Sequence, residues 1–267
     1  MPISNETIEF SSYDYTGFGY IPKPLAALTC TSRHNVANPK NCLEAAREAE
    51  DKLSIASAVL NCLPGVICIP SFATSYSPEH VPPGFFGGGG GSYWVEQALP
   101  RLTVDFADGH LQTLASDSIG AISDLPTKYQ EQIRAALERF AQAKATSDKQ
   151  KRALDLGIAL EMVLLYSENK IEIPNQLALS FRTRGAWIAG EDLDDRKNIY
   201  NTLNMIYSQR SQVAHNGEID YKKLTHPEII KAQTNNIEIA ERIFQKLILT
   251  GCAPNWKEVI LGGHACN

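Results

Sequence analysis

The sequence lacks a large excess of charge of either sign, and it lacks a long apolar run. The chain has 267 residues, 43% of them hydrophobic, and a formal net charge of -5. A protein that coats duplex DNA is usually basic, so this charge argues against that class. The most apolar stretch, residues 53–73, is interrupted by Asn61, Pro64 and Pro70, whereas a membrane-spanning helix needs roughly 18 uninterrupted apolar residues. We therefore expect a soluble globular protein with no membrane contact.

Several motifs of known chemistry are also absent. None of the six cysteines forms a C-x-x-C pair, and no H-E-x-x-H, H-x-x-E-H or G-x-S-x-G pattern occurs, which argues against zinc sites and serine hydrolases. We therefore predict no cofactor and no metal. The beginning of the sequence has no basic segment followed by an apolar run, so we expect no secretory signal, reduced cysteines and a cytoplasmic location. The glycine run Gly87–Gly91 is not followed by Lys-Ser/Thr, and we interpret it as a surface loop.

Residues 1–120 are predicted to form an α+β region of unknown role. The first 40 residues, rich in Ser, Tyr, Pro and Asn, suit a short strand or an irregular arm. Asn38 and Pro39 begin a predicted helix that ends near residue 64. Residues 66–70 and 93–106 then read as strands, because they are rich in β-branched and aromatic residues.

Residues 121–267 are predicted to form an antiparallel helical bundle, so the fold is α+β but mainly α-helical. Helical periodicity and end signals predict helices over 125–146, 147–169, 175–190, 191–217 and 225–251. Leu154, Ile158 and Met162 mark the apolar face of the second of these helices. The boundary with the first region falls between Leu114 and Leu125.

The ends of these helices carry recognisable capping residues. Ser147 or Asp148 caps the second helix, and acidic residues begin the fourth, as the helix dipole favours. Thr225 and Glu228 form a capping box at the start of the fifth helix, and Gly251 ends it.

The fourth helix ends in a pattern that suggests anion chemistry. Arg210 stands five positions before His215, and Asn216-Gly217 follows as a left-handed C-terminal turn. Five positions on a regular helix are about 140° apart. The two side chains therefore meet only if the His215 ring swings back from the last turn. A helix C-terminus favours cations, and an arginine beside a protonated histidine would bind an anion such as phosphate.

RNA cleavage needs only such groups. The ribose 2′-OH attacks the adjacent phosphorus while a base takes its proton, an acid protonates the leaving 5′-oxygen, and a cation stabilises the phosphoryl oxygens. The competing interpretation is that the arginine and the histidine are ordinary surface residues, since such pairs arise often by chance.

The context of this pair resembles the HEPN superfamily, especially its Apea-like branch. The resemblance covers roughly residues 125–250 and consists of an early helix, a middle helix, and a final helix that ends in Y-x-x-R-S-x-x-x-H-x-G. The matching positions are Ala159, Leu160, Glu161, Leu164 and Leu165, then Arg184, Ala186 and Ile188, then Tyr207, Arg210, Ser211, His215 and Gly217.

The resemblance implies a function and partners. Many members are metal-independent endoribonucleases of anti-phage, toxin–antitoxin and CRISPR systems. They commonly form dimers in which two R-x4-H motifs face one cleft. The resemblance thus implies cleavage of RNA to a 2′,3′-cyclic phosphate, a homodimer with a composite active site, and an antitoxin or activating partner, in phage defence or growth arrest.

The resemblance also implies residue roles. Arg210 is the phosphate and transition-state cation, and His215 is the general acid and base. Glu161 matches a carboxylate that orients the arginine; alternatively, it is a helix-face carboxylate in a bundle contact. Ser211 stands where active members often carry Asn, Asp or His, so Asn216 would supply a polar contact instead. The supporting residues are therefore Glu161, Tyr207, Ser211 and Asn216.

Four further cations are candidates for RNA binding. Arg182 and Arg184 would contact phosphates beside the indole of Trp187, unless Trp187 is simply core. Lys222 and Lys223 follow the motif, where they either contact phosphate or are solvated.

A second function stays open from the sequence. The bundle would then be a non-catalytic HEPN dimerisation module or a nucleic-acid-binding or partner-binding module. In that case Arg210 and His215 bind an anion or brace the dimer.

Overall fold

The computed structural model describes seven stretches of the chain, which divides into two compact units. The described residues are 8–13, 25–30, 52, 54–63, 109–166, 176–221 and 224–263. The units are Met1–Ser57 and Ala58–Asn267. In the first unit, strand β1 (Ile8–Tyr13) pairs antiparallel with strand β2 (Leu25–Cys30), with Ile8 opposite Cys30.

The described residues are mainly helical and do not support the α+β region predicted for residues 1–120. Besides the β1–β2 hairpin, this range contributes helical residues 54–60, here α1, and most of helix α2 (Gly109–Ser123). A two-stranded hairpin alone is only marginally stable. The strands predicted at 66–70 and 93–106, the cap at Asn38, and the Gly87–Gly91 loop lie outside the described residues. The boundary near residue 120 stays a prediction.

The second unit is a helical bundle, which confirms the bundle predicted for the C-terminal part of the chain. Its helices after α2 are α3 (Thr127–Ala145), α4 (Lys149–Leu164), α5 (Leu177–Ala189), α6 (Leu193–Asn216), α7 (His226–Leu249) and α8 (Trp256–Ile260). Helix α4 packs against α3, α5, α6 and α7. Leu154, Ile158 and Met162 are only half-buried, because the fully buried residues of α4, among them Leu156, Leu160 and Val163, lie on its other sides.

The helix ends follow the predicted capping residues. Asp148 caps α4 by accepting from the backbone N–H groups two and three positions on, at 2.8 and 3.1 Å. At the start of α7, the Thr225 N–H donates to the Glu228 carboxylate at 2.7 Å. Helix α6 ends at Gly217, which has a φ of 76° and donates its N–H to the Val213 carbonyl at 2.9 Å. Left-handed glycine is the usual helix C-terminus, so local sequence sets these boundaries.

The buried Lys144 links three segments of the bundle through hydrogen bonds. The Nζ of Lys144 on α3 donates to Glu241 on α7 at 2.5 Å and to the carbonyls of Asn61 and Leu63 at 2.9 and 3.2 Å. All three ammonium protons therefore have acceptors, which offsets the cost of taking the charge out of water. Burial lowers the pKa of Lys144, although the Glu241 carboxylate opposes this effect.

Arg152 of α4 donates hydrogen bonds to the carbonyls at the C-terminal end of α3. Its guanidinium is buried, and it donates to the carbonyls of Ala143 and Thr146 and to Gln233 Oε1 of α7. The last carbonyls of a helix have no partner within that helix. Arg152 supplies the missing donors and links α4 to α7 through Gln233.

A bidentate ion pair joins the start of α6 to α7. Arg242 Nη1 donates to Asp195 Oδ1 at 3.0 Å, and Arg242 Nη2 donates to Asp195 Oδ2. The Glu191 N–H also donates to Asp195 Oδ2, at 2.9 Å. These hydrogen bonds, from Arg242 first and then from Glu191, hold the pKa of Asp195 below its ordinary value of 3.8.

Two further findings concern the environment of the chain. None of the helices in the described ranges combines the length and the apolar character that crossing a membrane requires. The Cys62 thiol is free and buried, and burial raises its pKa. Cys252, however, is in a disulfide, so the prediction of six reduced cysteines is wrong at this residue. The cytoplasmic location stays a prediction.

We expect Lys144→Met to lower the free energy of unfolding by about 3–5 kcal/mol, because it leaves Glu241 buried without its counter-ion. Denaturant titration measures this loss. The double variant Lys144→Met/Glu241→Leu should recover much of it, because no buried charge then remains. A single variant as stable as the wild type would contradict the structural role of the pair.

We expect Asp195→Asn to cost about 1 kcal/mol of stability at neutral pH, as for a well-formed ion pair near the surface. A carboxyl whose pKa is lowered by folding stabilises the fold above its unfolded pKa, and this stability is lost as the pH falls. The difference from wild type should therefore be full above about pH 5 and shrink on acidification. Asp194→Asn is the matched control, because the Asp194 side chain is 91% exposed. Equal losses from both variants would refute this assignment.

Candidate functional site

Helix α6 is regular as far as Asn216 and determines which way each candidate residue faces. His215 is exposed in its last turn, whereas Arg210 is half-buried toward α4. Because the two positions are about 140° apart on a regular helix, the structure does not bring both side chains into one site within a single chain.

An ion pair with α4 orients Arg210. Its Nη2 lies 2.9 Å from Glu161 Oε2, and the two side chains are 30% and 19% exposed. Among the described residues, the buried Nε of Arg210 has no hydrogen-bond partner. Burial raises the pKa of Glu161, while the Arg210 guanidinium opposes this shift. Glu161 thus occupies one donor of Arg210 and leaves the exposed part of the guanidinium free for another anion.

Gly157 makes this ion pair possible, and the sequence interpretation missed it. A Cβ on Gly157 would lie 2.5 Å from Arg210 Cβ and 2.6 Å from Arg210 Cγ. The arginine stem therefore passes directly over the glycine, one helical turn before Glu161. A glycine inside a helix is unfavourable by itself. Its presence within the predicted helix was therefore the sequence signal that another element packs closely there.

An open groove of about 360 Å³ runs along the outward face of α6. Its described lining residues are Asn204, Tyr207, Ser208, Ser211, Gln212, His215 and Asn216. All seven belong to α6, so this helix forms a single wall. Four of the predicted site residues line the groove, namely Tyr207, Ser211, His215 and Asn216. It also contains Asn204, Ser208 and Gln212, which the sequence interpretation missed although they follow the same helical spacing.

The segment after α6 folds back beside the groove. Gln212 Oε1 accepts the backbone N–H of Asp220 at 3.0 Å, and Gln212 Nε2 donates to Ser208 Oγ at 3.2 Å. Further along, Gln233 Nε2 donates to the Tyr221 hydroxyl at 3.3 Å. The first of these contacts holds the chain that follows Gly217 beside Gln212, a lining residue of the groove.

The candidate RNA-binding arginines differ in their surroundings. Arg182 donates to Asn204, which lines the groove. Arg184 instead donates to the Leu164 carbonyl at 2.8 Å and lies 5.2 Å from the Trp256 ring centroid. Arg184 thus takes part in bundle packing at the end of α4. The other two candidates, Lys222 and Lys223, lie outside the described residues.

Trp187 is half-buried, and the Arg196 guanidinium lies 4.1 Å from the centroid of its ring. One face of the ring is therefore covered by a neighbouring cation from α6.

Neither a group of metal ligands in the described residues nor a similarity to a known protein adds to the description of the site. Among the described residues, no three His, Cys, Asp or Glu side chains are grouped as ligands of a metal ion. No family model matches the chain, and no curated protein or solved structure is significantly similar to it.

We expect Gly157→Ala to destabilise the bundle by about 1–3 kcal/mol, because the new methyl group displaces the Arg210 stem. Gly120→Ala on α2 is the control, since a Cβ there meets nothing within 4 Å. That control should raise stability by up to about 1 kcal/mol through helix propensity. Thermal or denaturant unfolding of the two variants tests this, and a stabilised Gly157→Ala protein would disprove the close contact.

Proposed function

We propose that the chain is a metal-independent endoribonuclease of HEPN type. The observation that carries the proposal is the exposed His215, which lies at the end of α6 and lines the groove together with the polar side chains of Ser211 and Asn216. An imidazole exchanges protons near neutral pH, and these neighbours offer hydrogen bonds to a phosphate. Arg210, held one turn earlier by Glu161, is the associated cation.

The reaction is an internal transfer of the phosphoryl group. The 2′-oxygen forms a bond to the adjacent phosphorus, and the bond from phosphorus to the 5′-oxygen breaks. In one copy, His215 would take the proton of the 2′-OH. In the other copy, His215 would donate a proton to the leaving 5′-oxygen. The products are a 2′,3′-cyclic phosphate and a free 5′-OH, so no water or cofactor is consumed.

A second copy of the chain would complete the site. The groove has one described wall, formed by α6, and Arg210 faces away from His215 on the same helix. A two-fold axis beside α6 would supply a second wall and bring Arg210 and His215 of both copies toward one phosphate. We therefore propose a homodimer with a composite active site.

The alternative is a non-catalytic module that binds an anion, a nucleic acid or a partner through the same face. The observation in its favour is that Glu161 already neutralises Arg210 within one chain. In that case the ion pair braces α6, and the groove binds without cleaving. A role in phage defence, in a toxin–antitoxin pair or in growth arrest, with an antitoxin or activator, belongs to the catalytic proposal.

Cleavage of RNA in EDTA distinguishes the two functions. We expect the wild type to produce 2′,3′-cyclic phosphate ends, and we expect His215→Ala to be slower by about 100-fold or more, as for loss of a general acid or base. His226→Ala is the matched control, because His226 is exposed at the start of α7 and is not among the described lining residues of the groove.

Unchanged cleavage by a folded His215→Ala protein would eliminate His215 as the catalytic group. RNA binding without cleavage by the wild type would instead favour the non-catalytic module.

A further inference from the structure

We propose that Arg182 forms a phosphate subsite for single-stranded RNA, at the end of the α6 groove remote from His215. This inference rests on the proposed function and specifies how the substrate is held. It concerns a side chain of α5, which packs beside α6, and no part of the R-x4-H motif.

Three contacts fix the Arg182 guanidinium at the edge of the groove. Its Nε donates to the Ala178 carbonyl at 2.9 Å, and its Nη1 donates to Asn204 Oδ1. Its central carbon lies 5.1 Å from the centroid of the Tyr200 ring. Since Asn204 lines the groove, the cation is held next to it, and little side-chain entropy would be lost when a ligand binds.

Arg182 has no acidic counter-ion within the described part of the chain. By contrast, Arg139, Arg210 and Arg242 each pair with a carboxylate. Arginine has five N–H donors, and two of those of Arg182 are used. Three donors on a fixed, partly exposed fork suit the oxygens of a phosphate diester. A cation that is positioned and partly exposed, but not neutralised within its own chain, is suited to a ligand that brings its own negative charge.

The distance along α6 defines where this phosphate lies in the substrate. Asn204 and His215 are separated by 11 positions, which is about 16 Å at 1.5 Å per residue. A stacked strand advances about 3.4 Å per nucleotide, so the phosphate on Arg182 lies a few nucleotides from the cleaved bond. Tyr207 lines the groove between these two positions, and aromatic rings stack with unpaired bases. The subsite therefore takes a single strand.

The salt dependence of RNA binding tests the subsite. The parent protein is the full chain with His215→Ala, which should bind a single-stranded RNA oligonucleotide without cutting it. Adding Arg182→Gln removes the charge but keeps an N–H donor for Asn204. Because one phosphate contact is lost, the slope of log K against log salt should become shallower by about 0.7.

Two further variants serve as controls. Arg182→Lys retains the charge and should keep the slope of the parent. Arg134→Ala removes a cation on α3 that pairs with Glu138 of the same helix, and it should also leave the slope unchanged.

The outcomes separate this inference from the proposed function. If the parent binds RNA and Arg182→Gln shows the parent slope, the subsite is refuted while the nuclease proposal stands. If neither the wild type nor the parent binds or cleaves RNA, the proposed function fails and the subsite fails with it. A slope that drops equally for Arg134→Ala would show a general effect of net charge and would also overturn the subsite.

Discussion

The close approach of α4 and α6 at Gly157 is the constraint on which the candidate site depends. The Arg210 stem occupies the space that any other side chain at Gly157 would fill, and the guanidinium then reaches Glu161 on the next turn of α4. This contact fixes the rotation of α6 about its own axis. With Arg210 turned inward, helical geometry turns Tyr207, Ser211 and His215 outward into the groove.

The bundle uses buried and half-buried cations to satisfy backbone carbonyls. Lys144 donates hydrogen bonds to the carbonyls of Asn61 and Leu63. Arg152 donates to carbonyls at the end of α3, and Arg184 donates to a carbonyl at the end of α4. Each charge is costly to bury unless its donors find acceptors. Sliding a helix by one turn would leave these donors unpaired. Such contacts therefore favour one register of the bundle over others of similar apolar burial.

Local features of this fold could be predicted from the sequence, and long-range ones could not. The caps at Asp148, Thr225 and Gly217 depend on a few adjacent residues, so these three helix ends were predictable, whereas α4 ends at Leu164, before the predicted residue 169. The shared face of Tyr207, Ser211 and His215 follows from their spacing of four residues.

The remaining contacts depend on tertiary packing. Lys144 and Glu241 are separated by 97 positions, and no local pattern indicates that they meet. The same limit applies to Arg184, whose motif position suggested RNA contact although its guanidinium packs against Trp256. It also applies to Gly157, whose partner Arg210 lies on another helix.

The groove residues that the structure describes separate recognition from folding. Ser208, His215 and Asn216 line the groove without belonging to the buried core, and substitutions at such positions usually change stability by less than about 0.5 kcal/mol. The residues that fix the helix, Gly157 and Glu161, lie on α4 instead. Homologous chains can therefore diverge in what they bind along α6 while keeping one bundle, so ligand preference can evolve at these positions with little risk of unfolding.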